Sequence, residues 1–355
     1  MIKKTKVLIV VGGTGGHVLP GCNLAEHLKK DYDVKVVTDK RGQQFIKQFK
    51  DLDILTLPSS PIIKSNIFTI LYSFLFIFFS ILRSLIFLTF NRPSVIFGMG
   101  GYASFPICVA GAILRIKFVI YENNLIIGKT NKYLLPITRK VLVSFKELEG
   151  IPKKFNGKII EIGNIIKKEI INIPKKKTNI PFQKINLLIL GGSQAAKTFA
   201  QILPNIFSEC VNQGIDLRIY QQCLPNQNEE LKQFYQKKDI EFQIFNFSEN
   251  IIDYFLKANL AITRSGSSIL AELTNANIPF ISVPLPSSAD NHQLKNANYY
   301  KRKKLAFLIE EVDLKNNLLY LIKEIYKNNL ILDEIIKNQS QYSDKNVYNN
   351  IDKIL

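Results

Sequence analysis

Two glycine-rich segments, each lying where a strand would end and a helix would begin, could bring backbone amides against a ligand. Residues 12–17 are Gly-Gly-Thr-Gly-Gly-His after one apolar run, and residues 98–102 are Gly-Met-Gly-Gly-Tyr after another. Glycine allows the backbone to approach a ligand closely, and a helix N-terminus offers N–H groups and a dipole that favour an anion. These segments predict two ligand-facing turns at the carboxyl edge of one sheet.

The first of these turns ends in a histidine and does not match the common nucleotide-binding motifs. Val18 stands where a dinucleotide fingerprint needs its third glycine, and no Walker lysine follows. His17 is either a helix-capping or merely exposed residue, or a functional group directed at the ligand. We favour a functional role, because imidazole can exchange a proton near neutral pH.

Polar clusters follow further predicted strands. Residues 121–124, Tyr-Glu-Asn-Asn, are either a plain polar loop or groups suited to a substrate with many hydroxyls. Residues 263–268, Thr-Arg-Ser-Gly-Ser-Ser, precede a helix whose first amides would suit a diphosphate. Glu272, about two turns into that helix, could bind both hydroxyls of a ribose or simply face solvent. A last polar cluster, residues 290–293, follows another strand.

The elements that must position these residues occur in two similar halves. Residues 6–11 and 186–190 are apolar runs, each followed by a glycine-rich turn and a helical pattern. Further apolar strands are predicted at residues 34–37, 54–57, 94–97, 118–121, 140–143, 217–220, 242–245, 260–263 and 280–283. This alternation predicts an α/β protein with two Rossmann-like, doubly wound domains facing each other across a cleft.

The predicted domain boundaries follow from composition. We expect a first domain at residues 1–163, a linker at 164–184 and a second domain at 185–335. The Lys- and Pro-rich stretch 171–184 supports the linker. Residues 336–355 are predicted to form a C-terminal helix able to pack back on the first domain.

Residues 65–82 are consecutive and uncharged, and hydropathy alone favours a transmembrane helix there. A single span would separate the two glycine-rich turns of the first half, which should belong to one sheet. A double span needs roughly 40 residues. We therefore predict one or two helices that partly pack on the first domain and partly enter the membrane interface, with Lys64, Arg83 and Arg92 at headgroup level.

Composition limits the possible classes of protein. The 355 residues fit two domains, and the net charge of +18 comes mostly from lysines spread along the chain without a nucleic-acid motif. We predict no nucleic-acid partner, but an attraction to an anionic membrane surface. The four cysteines form no C-x-x-C pair, and no secretory signal is evident, so a reducing cytoplasm is expected.

Taken together, the motifs resemble the MurG family of peptidoglycan N-acetylglucosaminyltransferases, of the GT-B superfamily. The match runs in order over residues 6–310. The resemblance implies an inverting transfer of N-acetylglucosamine from UDP-N-acetylglucosamine to the muramyl 4-hydroxyl of lipid I, which gives lipid II. The segments that carry the match are 12–17, 98–102, 122–124, 130–132, 191–194 and 264–266, with Glu272, Gln293, Asn296 and Ala297.

The same resemblance implies residue roles. Glu272 would bind the ribose, the backbone at Ser248 the uracil, and Gln293 with His292 the sugar hydroxyls. The lipid I pyrophosphate would lie near the first-domain turns, with His17 as general base. The residues implied at the donor diphosphate and neighbouring groups are Ser193, Ser267, Ser268, Ile269, Leu270 and Ala271. Those implied to complete the donor site from the first domain are Thr14, Gly15, Gly16 and Asn124.

The resemblance also implies location and partners. It places the enzyme peripherally at the cytoplasmic face of the cell membrane, with cell-wall synthesis proteins as possible partners. No Asp-x-Asp motif is evident near the donor site, so we expect no metal or other cofactor. Helix dipoles and side chains would then neutralise the UDP leaving group.

Three segments depart from the family pattern. Residues 163–167 are Gly-Asn-Ile-Ile-Lys where Gly-Asn-Pro-x-Arg is usual, so Lys167, a predicted substrate contact, keeps a charge without the guanidinium fork. Tyr121 stands where histidine is common, and Ala195 where glycine is usual. Two alternatives share the fold: a GT-B enzyme that uses a UDP-sugar on another lipid acceptor, and a sugar-nucleotide epimerase. A third is a non-enzymatic nucleic-acid- or membrane-binding protein.

Overall fold

The computed structural model describes residues 4–59, 67–175, 183–246 and 250–355. Its strands in these ranges are Lys6–Val10 (β1), Asp33–Thr38 (β2), Asp53–Thr56 (β3), Val95–Gly98 (β4), Lys117–Glu122 (β5), Lys140–Val143 (β6), Ile159–Glu161 (β7), Ile185–Leu190 (β8), Leu217–Gln222 (β9), Glu241–Phe245 (β10), Leu260–Thr263 (β11), Phe280–Ser282 (β12) and Phe307–Leu308 (β13). Its helices are Gly15–Leu28 (α1), Ile67–Phe90 (α2), Ser104–Ile113 (α3), Lys129–Leu134 (α4), Lys168–Ile171 (α5), Gly192–Asn212 (α6), Asn228–Lys237 (α7), Ile251–Lys257 (α8), Ser267–Asn275 (α9), His292–Arg302 (α10), Leu314–Lys327 (α11), Leu330–Gln341 (α12) and Val347–Asp352 (α13). Short 3₁₀ helices occupy Gly42–Phe45, Lys153–Lys158, Pro225–Gln227, Ala289–Asn291 and Glu311–Asp313.

The first compact unit comprises residues 1–167 and 344–355 and is built on a seven-stranded parallel sheet. The strand order is β3-β2-β1-β4-β5-β6-β7, so the direction of winding reverses between β1 and β4. Strand β1 (Lys-Val-Leu-Ile-Val) is almost entirely buried, as expected for a parallel strand with helices on both faces. Ligands bind at such a reversal, outside the carboxyl ends of the strands.

The second unit, residues 168–343, repeats this plan with a six-stranded parallel sheet in the order β10-β9-β8-β11-β12-β13. Its reversal lies between β8 and β11, which pair from Leu260 with Leu187 to Thr263 with Leu190. The core on this sheet includes fully buried Phe199 and Phe207 from α6, together with Leu314 and Leu318 from α11. Both units are therefore doubly wound α/β folds, which confirms the predicted class of two Rossmann-like domains.

Every strand predicted from the sequence is present, with ends that shift by one or two residues. The sequence missed β7 and β13, which contain only three and two residues. Such short edge strands leave too few residues for a period of two to be recognised.

The chain passes from the first unit to the second at residues 167 and 168, and returns at residue 344. The predicted boundary at residue 335 falls inside α12, which lies wholly in the second unit, whereas α13 belongs to the first. Asp344 fixes this return, because its Oδ1 accepts the Asn164 N–H at 2.7 Å. The Tyr348 hydroxyl donates to the Ile166 carbonyl at 2.6 Å, so α13 is tied to residues 164–166 at two points.

Helix α2 connects β3 and β4, so both of its ends return to the same sheet. The predicted segment 65–82 is one helix that continues to Phe90, while Lys64, Ser65 and Asn66 lie outside the described residues. Its stretch Phe68–Phe90 is long and apolar enough to cross a bilayer by length and composition. Arg92, just past its end, donates to the Leu114 carbonyl at 2.9 Å.

Helix α2 buries small polar side chains and exposes large apolar ones, which is the reverse of a helix that packs on the core of a soluble protein. Ser73, Ser84 and Leu88 are buried, and α2 packs along α3. The hydroxyls of Ser73 and Ser84 donate to carbonyls one turn earlier, so both buried hydroxyls are paired within the helix. The large side chains point away from the unit and are exposed: Phe68, Leu71, Tyr72, Phe74, Leu75, Phe78, Phe79, Leu82, Ile86 and Phe90.

Candidate active site

In the first unit the two glycine-rich turns lie against each other at the carboxyl ends of β1 and β4. A Cβ at Gly101 would lie 2.3 Å from the Gly12 carbonyl oxygen, and a Cβ at Gly100 would lie 2.8 Å from the His17 ring. Gly100 and Gly101 also have positive φ values of 91° and 77°, a region that favours glycine. The glycines at 100 and 101 therefore make room for the first turn and for His17.

A third loop reaches the first turn through Asn123, which follows β5. Helix α1 contains Pro20, which has no N–H to donate to the Gly16 carbonyl one turn earlier. The Asn123 side-chain amide donates to that carbonyl at 2.7 Å. Asn123 is buried, so this bond satisfies a carbonyl that the helix itself cannot, one residue before His17.

Glu122 organises the loop between β5 and α4. Its side chain is 1% exposed, and its Oε2 accepts the Gly128 N–H at 2.8 Å and the Asn131 side-chain amide at 3.0 Å. Its Oε1 accepts the Asn124 backbone and side-chain N–H groups, both at 3.1 Å. In this structure Glu122 therefore shapes the loop, and the partly buried Asn124 stands at its rim.

Asp39, at the end of β2, supports the first turn from the other side. It is 1% exposed and accepts the N–H groups of Gly13 at 3.2 Å and Gly42 at 2.9 Å. Burial alone would raise its pKa, but hydrogen bonds from Arg41, Ser59 and these two amides hold the pKa of Asp39 below its usual value. The Arg41 guanidinium lies 5.1 Å from the centre of the Tyr102 ring and so joins this network to the second turn.

Two departures from the family pattern have structural explanations. Tyr121 is buried, and its hydroxyl contacts Ser144 Oγ at 2.8 Å and accepts the Ile165 N–H at 3.1 Å. Burial raises its pKa, so it stays a neutral hydroxyl that fixes the chain near Ile165. Lys167, a predicted substrate contact, is partly buried and its ammonium donates to Gln48 Oε1 at 3.3 Å.

In the second unit, α9 begins directly after the turn that follows β11. Ser267 is buried, and the Ser268 hydroxyl is buried without a hydrogen-bond partner among the described residues, so it can rotate to a ligand without losing a bond. The side chains of Leu270 and Ala271 are fully buried. Any contact from those two predicted site residues would come from the backbone, and the Leu270 N–H already donates to Gly266. Ile269 and Glu272 are partly exposed.

Gln293 connects three segments of this edge. Its Oε1 accepts the N–H groups of Ser265 at 3.1 Å and Leu285 at 2.9 Å. Only its amide nitrogen is therefore left for a sugar hydroxyl. The neighbouring His292 contacts the Ala289 carbonyl through Nδ1 at 2.8 Å, and the buried Asn296 donates to the Ser265 carbonyl at 3.1 Å.

Gln222, the last residue of β9, joins the loops that carry two further predicted contacts. Its Oε1 accepts the Gly192 N–H at 3.2 Å, and its Nε2 donates to the Asn246 carbonyl at 3.0 Å. Ser193 follows Gly192 at the start of α6, and the structure does not describe its side chain. Ser248 lies outside the described residues.

Arg264, within the 263–268 motif, is an internal support. It is 5% exposed, pairs with Glu311, and lies 4.5 Å from the centre of the Phe199 ring. Sequence reasoning missed Asp39, Arg41 and Gln222 as supports of the site. Asp39 directly follows β2 and Gln222 ends β9, so the rule that identified the other polar clusters would have identified these two.

Comparison with known proteins shows matches to two family models and to relatives of similar length. Residues 7–143 match the glycosyltransferase family 28 N-terminal domain, and residues 186–351 match the C-terminal domain of the same family. The chain is 35% identical over 348 residues to the UDP-N-acetylglucosamine--N-acetylmuramyl-(pentapeptide) pyrophosphoryl-undecaprenol N-acetylglucosamine transferase of Pelagibacter ubique. That alignment covers 98% of this chain and 96% of the relative.

Solved structures show the same fold. The crystal structure of MurG from Acinetobacter baumannii matches with a TM-score of 0.77 at 22% identity, over 99% of this chain and 98% of that one. A putative UDP-N-acetylglucosamine 2-epimerase from Listeria monocytogenes matches with a TM-score of 0.66 at 16% identity, over 98% and 95%. The fold is thus shared between transferases and epimerases, and fold alone does not separate them.

Proposed function

The chain belongs to glycosyltransferase family 28 and, within it, to the MurG family, and we propose that it makes lipid II. In this reaction N-acetylglucosamine passes from UDP-N-acetylglucosamine to the muramyl 4-hydroxyl of undecaprenyl-pyrophosphoryl-N-acetylmuramyl-pentapeptide, lipid I. The observation that carries the proposal is the 35% identity over 98% of the chain to a transferase named for this donor and acceptor. Three loops meet around His17, and this arrangement supports the proposal because it surrounds a candidate general base.

We assign the donor mainly to the carboxyl edge of the second sheet. The first turn of α9, with Ser267, Ser268 and Ile269, would bind the diphosphate, because the first amides of a helix have no acceptor within the helix. Glu272, one helical turn further and partly exposed, would bind the ribose hydroxyls. The contacts predicted for Ser193, Ser248, Gln293 and His292 belong to the same proposal.

We assign the acceptor chemistry to the first unit. The acceptor oxygen attacks the anomeric carbon, the bond from that carbon to UDP breaks, and UDP leaves with the electron pair. His17 accepts the proton of the attacking hydroxyl as general base. One direct displacement converts an α-linked donor into a β-linked product, through a transition state with oxocarbenium character. Thr14, Gly15, Gly16, Asn124 and Lys167 remain predicted substrate contacts.

We further propose that the enzyme works as a peripheral protein at the cytoplasmic face of the membrane. The outward face of α2 is mostly aromatic and aliphatic, and it is exposed in the folded unit. Both ends of α2 return to one sheet, which favours an orientation along the membrane surface over a span. The net charge of +18 would add attraction to anionic lipid.

The direct test is product analysis with radiolabelled UDP-N-acetylglucosamine and a lipid I analogue. We expect a labelled product that contains both sugars, formed only when both substrates are present. Conversion of UDP-N-acetylglucosamine without any acceptor would indicate an epimerase instead. If the enzyme transferred the sugar to another glycolipid but not to the lipid I analogue, the assigned donor would still be supported. The assigned acceptor would be wrong.

A further inference from the structure

Arg83 is the only charged residue of helix α2 (Ile67–Phe90), and nothing in the assigned chemistry uses it. Its side chain is exposed, and no hydrogen bond or ion pair links it to another residue in the part of the chain that the structure describes. An exposed guanidinium on an otherwise apolar helix is free to bind an anionic group, either a lipid headgroup or the phosphate of a ligand. Its position therefore suggests an anionic ligand.

Arg83 lies beside a crevice that extends to the end of the second glycine-rich turn. Arg83 and Ser80 on α2 line a crevice whose opposite wall is formed by Ala103, Pro106 and Ile107, at the start of α3. Ala103 directly follows Tyr102 of that turn, and a Cβ on Gly12 would lie 2.8 Å from the Ala103 Cβ. Arg83 and Ala103 thus line the same crevice, and Ala103 lies where the two glycine-rich turns meet.

The order of features from the membrane face inward matches the order of groups in a polyprenyl diphosphate sugar. The aromatic face of α2 is exposed, Arg83 is exposed and lines the crevice beside it, and Ala103 on the far side of the crevice lies against the turns that hold His17. In such an acceptor the prenyl chain lies in the lipid, and the sugar must reach the general base. The phosphate attached to the prenyl chain has to lie between them.

We propose that Arg83 binds the prenyl-linked phosphate of the acceptor lipid, with the apolar wall of the crevice beside the first carbons of the prenyl chain. This inference rests on the proposed function and specifies how its acceptor is held. A guanidinium can donate two parallel hydrogen bonds to phosphate oxygens. Arg41, on the other side of the same turn, is already paired with Asp39, whereas Arg83 pairs with no other residue that the structure describes.

A phospholipid headgroup offers the same chemistry, and the experiment must separate it from the acceptor. The variants are Arg83→Gln, Arg83→Lys and a matched control, Arg139→Gln. Arg139 is equally an exposed cation of the first unit, but it lies just before β6, at the opposite edge of the sheet. Three readouts are needed: the KM for a lipid I analogue, the KM for UDP-N-acetylglucosamine, and co-sedimentation with phosphatidylglycerol vesicles that contain no acceptor.

We expect Arg83→Gln to raise the acceptor KM by about tenfold or more, the effect of one charge-assisted hydrogen bond. The donor KM and the vesicle binding should stay as in the wild type and in Arg139→Gln. Arg83→Lys, which keeps the charge but loses the fork, should recover part of the loss. Geranylgeranyl diphosphate should compete with the acceptor in the wild type, and at least several-fold more weakly in Arg83→Gln.

Two results would overturn the inference. An acceptor KM that is the same in Arg83→Gln and in wild type would show that Arg83 does not contact the acceptor. A parallel loss of vesicle binding and acceptor affinity would assign Arg83 to phospholipid headgroups. Neither result would touch the proposed function, which fails only if the wild-type enzyme makes no product from the lipid I analogue.

Discussion

The side-chain amide of Asn123 donates to the Gly16 carbonyl at 2.7 Å, and so supplies the hydrogen bond that Pro20 removes from helix α1. The bond joins the loop after β5 to the residue before His17, across more than one hundred positions of sequence. It makes the placement of the proposed base depend on a residue from a neighbouring strand. The predictions that follow begin with this contact.

Asn123→Ala should lower the free energy of unfolding by about 1–3 kcal/mol, because it removes the side-chain donor from the partly buried Gly16 carbonyl. Pro20→Ala restores an N–H that can donate to this carbonyl. We therefore expect Asn123→Ala to cost less in the Pro20→Ala background than in the wild type, with a coupling of about 0.5–3 kcal/mol in a double-mutant cycle. Urea denaturation of the four proteins measures this, and additive losses would contradict the assigned partnership.

His17→Ala should lower kcat by roughly 10² to 10⁴, the usual contribution of a general base. Affinity for UDP should change little, because the predicted UDP contacts lie in the second unit. A suitable control is His27→Gln in the same helix, since His27 pairs with Asp352 and is not part of the proposed site. Near-normal turnover of His17→Ala at saturating acceptor would exclude His17 as the base.

Glu272→Ala should raise the KM for UDP-N-acetylglucosamine and leave the acceptor KM nearly unchanged. A hydrogen bond to a carboxylate contributes about 1.5–3 kcal/mol, which corresponds to a rise of roughly ten- to a hundredfold. Glu230→Ala, on the exposed face of α7, removes the same charge from another helix of the unit and serves as control. Equal donor KM values in the two variants would show that Glu272 only faces solvent.

Replacing Phe74, Phe78 and Leu82 together with Ser should weaken binding to anionic vesicles without unfolding the protein. All three are exposed, with 59%, 55% and 39% of their side chains accessible, so their loss removes little packing. A matched control replaces Val312, Tyr320 and Leu330, which are apolar residues of the second unit and at least as exposed. Wild-type protein should leave vesicles in high-salt and alkaline carbonate washes, since surface charge acts over only about 8 Å at physiological ionic strength.

Retention of the wild-type protein through both washes, with release only by detergent, would instead indicate a true span. That outcome would also conflict with the single sheet on which β3 and β4 both lie. Equal vesicle binding by the triple variant and the wild type would mean that α2 does not face the lipid.

Asp39→Asn should destabilise the first unit at neutral pH by about 1.5–3 kcal/mol, since the charged hydrogen bonds from Arg41 and Ser59 are weakened. The pKa of Asp39 is lower in the folded protein than in the unfolded chain. Its contribution is therefore complete above the unfolded value of about 3.9 and is lost as the pH falls through the folded value. The difference in urea midpoint between wild type and variant should shrink below about pH 4. A constant difference down to pH 2 would contradict this assignment.

The sequence by itself determined the elements and the family. Apolar runs followed by glycine-rich turns identify β1 with α1 and β8 with α6, because a buried parallel strand and a helix start are local patterns of composition. The carboxyl-end rule placed the polar clusters at 98–102, 121–124 and 263–268 correctly at the ends of β4, β5 and β11. Such features depend on residues close together in the chain.

Only the tertiary structure decided which atoms remain available to a ligand and which face each helix presents. Gln293 looked like a sugar contact, yet its oxygen is already bound to Ser265 and Leu285. Leu270 and Ala271 lie in the core, while the aromatic side chains of α2 lie outside it. Hydropathy indicates the free-energy cost of exposing a side chain, but it does not indicate which residues that side chain contacts. Those neighbours come from strands and helices far apart in sequence, and only the packing of complete sheets brings them together.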